Sequence, residues 1–578
     1  FEAVMKGAEE IVGHNLKFDL NQARAAGWEV PTWTTIHDTM IQAVLIDETL
    51  PKGLERRVAL LECSPYGDAQ KMKDAVNDWI AQQCKRLRLS RRAYLDRYGH
   101  AQVPVPLEGE YACRDIGHTL ALHKRQRRSA SGVGADPSRR VLYDNEMLLV
   151  RALADMEFVG QAVDGAYLER IKLQVQIEMD QLGDELQRAF GCELAWNNDR
   201  QMRELLYSRL GFPATRLTSK GQPSVDKAAL TAFVSEHTGV TPLMEWRARY
   251  KIMSTYTDSL IEKCDSNGRV HPQFNQAGAA SGRLSSSAPN FQNIPSRHPV
   301  LSKLVRRAFP VDPKTTRIYC DYSQIELRLL AWITGNATLN RAYASDAYEA
   351  YRWGQTDYDT YRSRRQSEEA TDIHGLVAQR VFGASPTDSD WKAKRSASKI
   401  INFGVPYGGG PSLLSSNPEL RLDEQTARKY HAAYHRANPE IEKTRTELLR
   451  KMRGDGLSFR NWAGRIKHGK RLDWTDEALR AEEERSMFAC LVQGSAAELT
   501  RFSIVQLWAA QQRGEMPAVT TSTVHDEIQV DCDESDTREV ARAVQKIMEN
   551  FRGVFGPIPV IADLEVSHTN WADKEDYE

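Results

Sequence analysis

Two short apolar runs, widely separated in the chain, each lead into an aspartate. The first is Arg317-Ile-Tyr-Cys-Asp321-Tyr-Ser-Gln-Ile-Glu326-Leu-Arg328, in which Ile318 and Cys320 alternate with Tyr319. The second is Ser522-Thr-Val-His525-Asp526-Glu527-Ile-Gln-Val530, where His-Asp interrupts two β-rich stretches. Alternation of period two predicts strands, and a polar interruption between two of them predicts a hairpin with Asp526 at its tip. Arg317–Cys320 is therefore expected as a strand, with a helix beginning after Ser323, and Val519–Val530 as two strands around a turn. Elsewhere the period is helical. Leu142, Met147, Leu149, Val150, Leu153, Met156 and Val159 recur near 3.6 residues, and Leu168–Phe190 and Glu245–Ile261 read the same way. A few strands among long helices predict a multi-domain α+β chain in which helix dominates. Its 578 residues suffice for roughly three to five domains. With 41% apolar residues it is neither disordered nor fibrous. The clearest linker is Ser129–Ser138, rich in Ser, Gly and Pro and preceded by the basic run Lys124–Arg128.

No stretch approaches the ~18 uninterrupted apolar residues of a membrane-spanning helix, so no membrane partner is expected. The chain opens on Phe1 with no basic segment leading into an apolar one, so the expectation is a fragment whose true start lies upstream. Eight cysteines are scattered with none in a CxxC pair, which argues against a zinc site or a disulfide framework and for a reducing, cytoplasmic setting.

Carboxylates at strand ends suit Mg²⁺, which takes one or two protein carboxylates plus substrate phosphates. Read singly, an aspartate such as Asp321 or Asp526 is more often a turn residue or a helix cap. Between them lies Lys392-Ala-Lys-Arg395-Ser-Ala-Ser-Lys399-Ile-Ile-Asn-Phe403-Gly-Val-Pro-Tyr407, followed by three glycines. Arg395, Lys399, Phe403 and Tyr407 are spaced by four, so they share one broad helix face, and Pro406 is expected to kink the end. Two cations followed by two aromatics suit a nucleotide, phosphates at one end and base at the other. A solvated basic turn running into a buried aromatic end satisfies the same spacing.

Together these segments resemble motifs A, B and C of the family A DNA polymerases, in the family's order. Ser281-Gly-Arg283-Leu-Ser-Ser-Ser-Ala-Pro-Asn-Phe-Gln-Asn293-Ile-Pro295 resembles another of its signatures, as do Lys251-x3-Thr-Tyr256, Asp372-Ile-His374, Val492-Gln493-Gly494 and Leu564-Glu-Val…Trp571. The resemblance runs from about residue 141 to the end. It implies a right-hand polymerase with an antiparallel palm sheet and helical fingers and thumb, partnered by primer-template DNA and dNTPs. Asp321 and Asp526 would hold two Mg²⁺ ions. Arg395 and Lys399 would grip the triphosphate, with His374 and Gln324 beside the same dNTP. Phe403 would pack on the incoming sugar and base, its identity implying poor use of dideoxynucleotides, and Tyr407 would stand by the templating position. Glu326 resembles the steric gate that crowds a 2′-hydroxyl. Arg283, Asn293, Gln493 and His525 match positions on the nascent pair, primer end or minor groove, and Lys251 a thumb contact to the duplex backbone. The segment Tyr343–Thr371 departs from the pattern and is expected as a solvent-facing insertion in the fingers.

Upstream, Ile11-Val-Gly-His-Asn15-Leu-Lys-Phe-Asp19, Asp38-Thr39 and Tyr111-Ala-Cys-Arg-Asp115 resemble the later motifs of 3′–5′ proofreading exonucleases. That likeness would make Tyr111 orient the attacking water, Asp19 and Asp115 help hold two further metals, and Asn15 belong to the same site. The family's opening Asp-x-Glu is missing, since the first aspartate is Asp19. Unseen upstream residues are the expected source of it, and proofreading depends on them. Lys85–Arg92, with five basic residues in eight, reads equally as a DNA contact or a solvated helix.

The implied boundaries are an α/β exonuclease-like domain over 1–128, a linker over 129–140, palm over 141–165, thumb over 166–265, palm again over 266–345, fingers over 346–470 and palm over 471–578. A monomer is expected, in the cytoplasm or nucleoid, with a phage-like motif spelling; any processivity factor is left open. A single-subunit phage RNA polymerase is the enzymatic rival, opposed by Glu326, Phe403 and the Arg283–Pro295 block. A non-catalytic accessory subunit is opposed by the presence of both Asp321 and Asp526.

The net charge of −1, from 77 Lys+Arg against 78 Asp+Glu, argues at first against a nucleic-acid partner. It hides a division. Lys443–Arg471 holds 10 Lys/Arg against 2 acids, and Asp526–Glu578 holds 14 acids against 5 Lys/Arg. The expectation is a basic DNA track kept apart from acidic metal ligands.

Overall fold

The computed structural model describes residues 2–28, 30–130, 137–214, 216–218, 220–295, 301–367, 372–415, 417, 420, 422–454, 458–469 and 476–577. Strand β1 (Glu10–Gly13) pairs in parallel with β2 (Thr35–Asp38) across helix α1 (Leu16–Ala25). Helix α2 (Thr39–Ile46) follows at once because Asp38 caps it, accepting from the Met40 and Ile41 amides at 2.8 and 3.3 Å. Helix α3 (Val105–Ala130) packs on α2, and α4 (Pro137–Val159) starts with the proline that a first helical turn tolerates. The two ends of the expected linker, Ser129–Ala130 and Pro137–Ser138, thus belong to helices; residues 131–136 of it lie outside the described residues. Helix α4 buries Leu142, Met147, Leu149, Val150, Leu153 and Met156 around most of its circumference, because it lies between the N-terminal unit and the C-terminal half.

Helix α5 (Gly165–Phe190) is capped by Asp164 and packs on α6 (Val240–Lys251). The helix expected over Glu245–Ile261 is not continuous. A π-helical turn occupies Ile252–Thr257 before α-helix resumes over Asp258–Lys263. The Ser254 and Thr257 hydroxyls donate to the Tyr250 and Met253 carbonyls at 2.9 and 2.7 Å, and such competition for backbone acceptors loosens the regular ladder.

Beyond it come β3 (Thr315–Tyr322), α7 (Ile325–Thr334), α8 (Asp346–Arg352), α9 (Tyr358–Ser367), α10 (Ile373–Phe382), α11 (Trp391–Gly404) and α12 (Pro439–Gly454). The chain continues through a small hairpin of β4 (Ser458–Arg460) and β5 (Ile466–His468), then α13 (Glu477–Gln512). It closes with β6 (Ala518–Val524), β7 (Glu527–Asp533), α14 (Thr537–Glu549), β8 (Ala562–Ser567) and β9 (Glu575–Asp576). Five strands form an antiparallel sheet in the order β6-β7-β3-β8-β9. Ile318 and Cys320 of β3 enter the main core, and Tyr319 enters a second core with Val524, Phe309 and Trp571. The central strand is thus buried on both faces. The fold is a multi-domain α+β chain dominated by helix. Among the described residues no helix is long and apolar enough to cross a membrane.

Two further expectations are corrected. The segment Tyr343–Thr371 is not solvent-facing: its tyrosines at 348, 351, 358 and 361 are buried together, and α9 packs against α14 (residues 368–371 lie outside the described residues). The i,i+3 spacing of each tyrosine pair puts both rings on one helix face. Nor is the basic block Lys443–Arg471 wholly a track. Arg445 pairs with Glu442 at 2.7 Å, Arg453 with Glu484, Lys467 with Glu48 at 2.8 Å, and Arg465 is buried between Glu146 and Glu498. Arg445 pairs within its own helix and the other three tie elements together; Lys443, Arg450 and Lys451 stay exposed on α12.

Candidate active site

The register of the sheet brings the two aspartates to one end. Asp321 on β3 stands opposite Glu527 on β7 and opposite Asp563 on β8, and Asp526 precedes Glu527 in the turn from β6. That turn is tight because His525 adopts a left-handed backbone, φ 57°. It is clamped by Gln292, which accepts from the His525 amide at 2.7 Å and donates to the Thr523 carbonyl at 3.0 Å. Sequence reasoning gave Gln292 no role; its only signal was its place inside the Ser281–Pro295 block. Asp321 is exposed at this sheet end, yet partial burial there and the nearby Glu527 and Asp526 charges push its carboxyl up to about 7. Asp526 is raised by burial too, against the opposing pull of Arg283.

Glu527 is not free to join them. Its Oε1 accepts from Gln529 at 2.8 Å and its Oε2 from Lys574 at 3.0 Å, and Lys574 also pairs with Glu565 and lies 5.2 Å from the centre of the Tyr319 ring. Lys574 is the nearby cation that moderates the acidic cluster. It sits outside every motif, and nothing in its sequence surroundings signalled it.

Glu326, in the first turn of α7, joins three segments. Its Oε1 pairs with Arg283 and its Oε2 accepts from the Tyr407 hydroxyl at 3.2 Å. Gln324, left-handed at φ 51° before α7, accepts from the Tyr343 hydroxyl at 2.9 Å. Arg501 on α13 donates to the Gly282 and Gln276 carbonyls at 2.8 and 2.7 Å and pairs with Glu146, so the loop bearing Arg283 is held from beneath. Gly494 lets α13 approach that loop, since a Cβ there would meet the Ser281 carbonyl at 2.8 Å. Gln493 is half-buried beside it, and Asn293 is exposed with its carbonyl accepting from Tyr256.

Helix α11 buries Ser398, Ile401 and Asn402 and leaves Lys399 and Phe403 exposed, Phe403 to 47%. It ends at Gly404 rather than kinking at Pro406, and a 3₁₀ turn, Val405–Tyr407, carries Tyr407 to Glu326. Arg395 forms a two-pronged pair with Asp372, the cap of α10. His374 is 7% exposed, and burial pushes its imidazole down to about 4, so it is neutral and accepts from the Asn402 amide at 3.0 Å. In this conformation it fixes α10 against α11 rather than offering a charge. Lys251 is exposed at the end of α6.

The N-terminal candidates stand on α1, on α3 and in the turn before α1. Asp19 lies near Asp38, and burial with that neighbour raises its carboxyl. Asp115 accepts from Tyr111 and faces Glu55 and Lys73, with burial as the main reason its carboxyl is raised. Asn15 lines a cleft of ≈ 800 Å³ between the N-terminal unit and α4. Among the described residues, only Asp47, Glu48 and His468 group three potential metal ligands, and there Lys467 already pairs with Glu48. The basic corner Lys85–Arg92 is exposed.

The acidic sheet end fits a divalent cation: Asp321, which is exposed, and Asp526 face one another with their charge poorly compensated. An acidic sheet end is thus linked through Glu326 to a cationic, aromatic helix, a combination whose chemistry suits phosphate and base groups. Residues 165–573 match the family described as DNA polymerase family A, and the chain belongs to that family. It is 31% identical over 535 residues to the thermostable DNA polymerase I of Thermus aquaticus, covering 92% of this chain and 54% of that protein. Against that of Thermus thermophilus it is 34% identical over 430 residues, 74% of this chain and 47% of that one. The DNA polymerase I of Pseudomonas aeruginosa is 28% identical over 565 residues, 97% and 56%. The chain thus spans about half the length of these curated relatives. A solved structure, the POL domain of Pol1 from M. smegmatis in complex with DNA primer-template and dNTP, shares the fold. Its TM-score is 0.74 at 23% identity, covering 97% of this chain and 85% of that one.

Proposed function

We propose that this chain carries out template-directed DNA synthesis, adding dNTPs to a primer 3′-hydroxyl. The observation that carries this is the meeting of Asp321 and Asp526 at one sheet end, with Arg283, Glu326 and Tyr407 joined beside them. Asp321 and Asp526 would hold two Mg²⁺ ions, which when bound supply charge neutralisation for the attacking and leaving oxygens of an in-line displacement. Arg395 exchanges Asp372 for the triphosphate, which Lys399 reaches from the next turn. Gln324 and His374 border the dNTP, His374 as a neutral hydrogen-bonding group. The exposed Phe403 ring packs on the incoming sugar and base, and Tyr407 stands at the templating position. Glu326, held from both sides, crowds a 2′-hydroxyl. Arg283, Asn293, Gln493 and His525 contact the nascent pair and primer end, and Lys251 the duplex backbone.

In this reading the palm comprises 141–165, 266–345 and 471–578, the thumb 166–265 and the fingers 346–470, with 346–367 docked on palm. The N-terminal unit (1–128) is exonuclease-like. Proofreading there would use Asn15, Asp19, Tyr111, Asp115 and two metals, together with acidic ligands beyond these. The chain acts as a monomer in the cytoplasm or nucleoid. The test is extension of a labelled primer-template with Mg²⁺ and either dNTPs or NTPs. Extension with dNTPs is expected; no extension refutes the proposal, and preference for NTPs favours the RNA polymerase rival.

A further inference from the structure

Helices α8 and α9 turn Tyr348, Tyr351, Tyr358 and Tyr361 into one cluster, with Tyr351 and Tyr361 stacked at 4.9 Å between ring centres. The cluster seats on the C-terminal end of α14. Arg542 pairs with Asp359 at 2.7 Å, Arg552 lies 3.6 Å over the Tyr351 ring, and the Tyr348 hydroxyl donates to the Phe551 carbonyl at 3.3 Å. At the centre is Glu549, 1% exposed. Its Oε2 accepts from the Tyr358 hydroxyl at 3.0 Å and its Oε1 from the Arg362 guanidinium at 2.8 Å.

A carboxylate buried so deeply is tolerated only when paired and hydrogen-bonded, and both side-chain partners come from α9. Burial lifts the Glu549 carboxyl to about 7 while Arg362 pulls the other way. Glu549 has a third partner: its Oε1 also accepts from the Ala562 amide at 2.9 Å. Ala562 opens β8 opposite Tyr322, and the next residue, Asp563, stands opposite Asp321. The Ser323 amide donates to the Ile561 carbonyl at 2.8 Å, closing the same corner. One buried carboxylate therefore spans from the α8–α9 unit to the strand that flanks Asp321.

Resting on the polymerase reading above, we propose that Arg362 and Tyr358 are positioning residues for that reaction. They act through Glu549 to fix the start of β8 and so the placement of Asp321 at the sheet end. Neither touches substrate.

The test compares Arg362→Met, Tyr358→Phe and the double variant Arg362→Met/Glu549→Gln with the wild-type chain. Primer extension is measured at 25 °C on protein shown by circular dichroism to be folded, and amide hydrogen exchange is mapped on the same samples. Arg362→Met is expected to lower kcat by ~10- to 100-fold with the dNTP KM within ~3-fold, as misplacement by about 1 Å does. Exchange protection is expected to fall at Cys320–Tyr322 and Ala562–Leu564. Gln at 549 removes the stranded charge and keeps an acceptor for Ala562, so the double variant should regain most of kcat. A brace with no influence on the site would lower Tm and leave kcat unmoved. Wild-type kcat and wild-type protection in folded Arg362→Met overturn the proposal. Should that variant not fold, Tyr358→Phe decides, with a loss of ~3- to 10-fold expected from one hydrogen bond and an unchanged kcat overturning it. A wild-type chain that extends no primer refutes the polymerase reading instead, and exchange at β3 and β8 still tests the brace.

Discussion

The hairpin tip bearing Asp526 is held in a left-handed turn by one side chain, and Gln292→Ala measures what that clamp contributes. A non-glycine residue at φ 57° costs roughly 1–2 kcal/mol. The two Gln292 hydrogen bonds, at 2.7 and 3.0 Å, return about 0.5–1.5 kcal/mol each. Strain and clamp are thus of similar size, and without the clamp the tip is free to relax. Because His525 is exposed, water replaces much of the lost bonding, so global stability should fall by only about 1 kcal/mol. Catalysis should fall much further, since displacing Asp526 by about 1 Å costs on the order of 10²-fold. Gln292→Glu keeps the acceptor for the His525 amide and loses the donor to Thr523, and should fall between the two. The assay is single-turnover primer extension alongside a thermal melt. A Gln292→Ala rate within about 3-fold of wild type would show that the turn holds itself and refute the reasoning.

Three further outcomes follow from the same geometry. Gly494→Ala places a Cβ 2.8 Å from the Ser281 carbonyl, so a cost of about 1–3 kcal/mol in chemical denaturation and weaker primer-template binding are expected; an unchanged denaturation midpoint would mean the loop yields freely. Glu326→Ala removes the group proposed to crowd a 2′-hydroxyl and strands Arg283, so competition assays should show the dNTP preference over NTPs falling by at least about 10-fold together with kcat. At the contact between the N-terminal unit and the β4–β5 hairpin, hydrogen bonds from His468 and Lys467 overcome burial and hold the Glu48 carboxyl at about 2, while Glu48 raises His468. The Glu48 contribution, at most about 3 kcal/mol, is present above its ordinary value and lost as pH falls through 4.5 toward 2; the His468 contribution is full below about 6.5 and lost as pH rises past its raised value. Melting temperature should therefore peak between about pH 5 and 6 and flatten in Glu48→Gln; a wild-type profile in that variant would contradict the assignment.

The strands at 315–322 and 518–533 were legible because alternation and turn chemistry are local, and the shared face of Arg395, Lys399 and Phe403 because a spacing of four is a property of any helix. Their meeting was not, since it depends on the Asp321–Glu527 register, which no local pattern specifies. Three features escaped for related reasons. The tyrosines at 348, 351, 358 and 361 show their i,i+3 pairing in the sequence, but an aromatic face does not say which surface it will cover. The basic block at 443–471 gave a correct sum, yet Arg465 and Lys467 are spent on Glu146, Glu498 and Glu48, partners far away in the chain. The π turn at 252–257 keeps helical periodicity closely enough that apolar spacing cannot reveal it. Asp19 stands on α1 near Asp38 and Asp115 on α3 near Glu55 and Lys73, a placement that motif spacing does not specify.

The central claim is that Asp321 and Asp526 act together at the chemical step. Asp526→Asn preserves shape and removes one of the two charges, and its extension rate and primer-template affinity can be measured on the same sample. The account predicts a rate loss of at least ~10³-fold, with affinity for primer-template within about 3-fold of wild type. Extension at a near wild-type rate by that variant would contradict it.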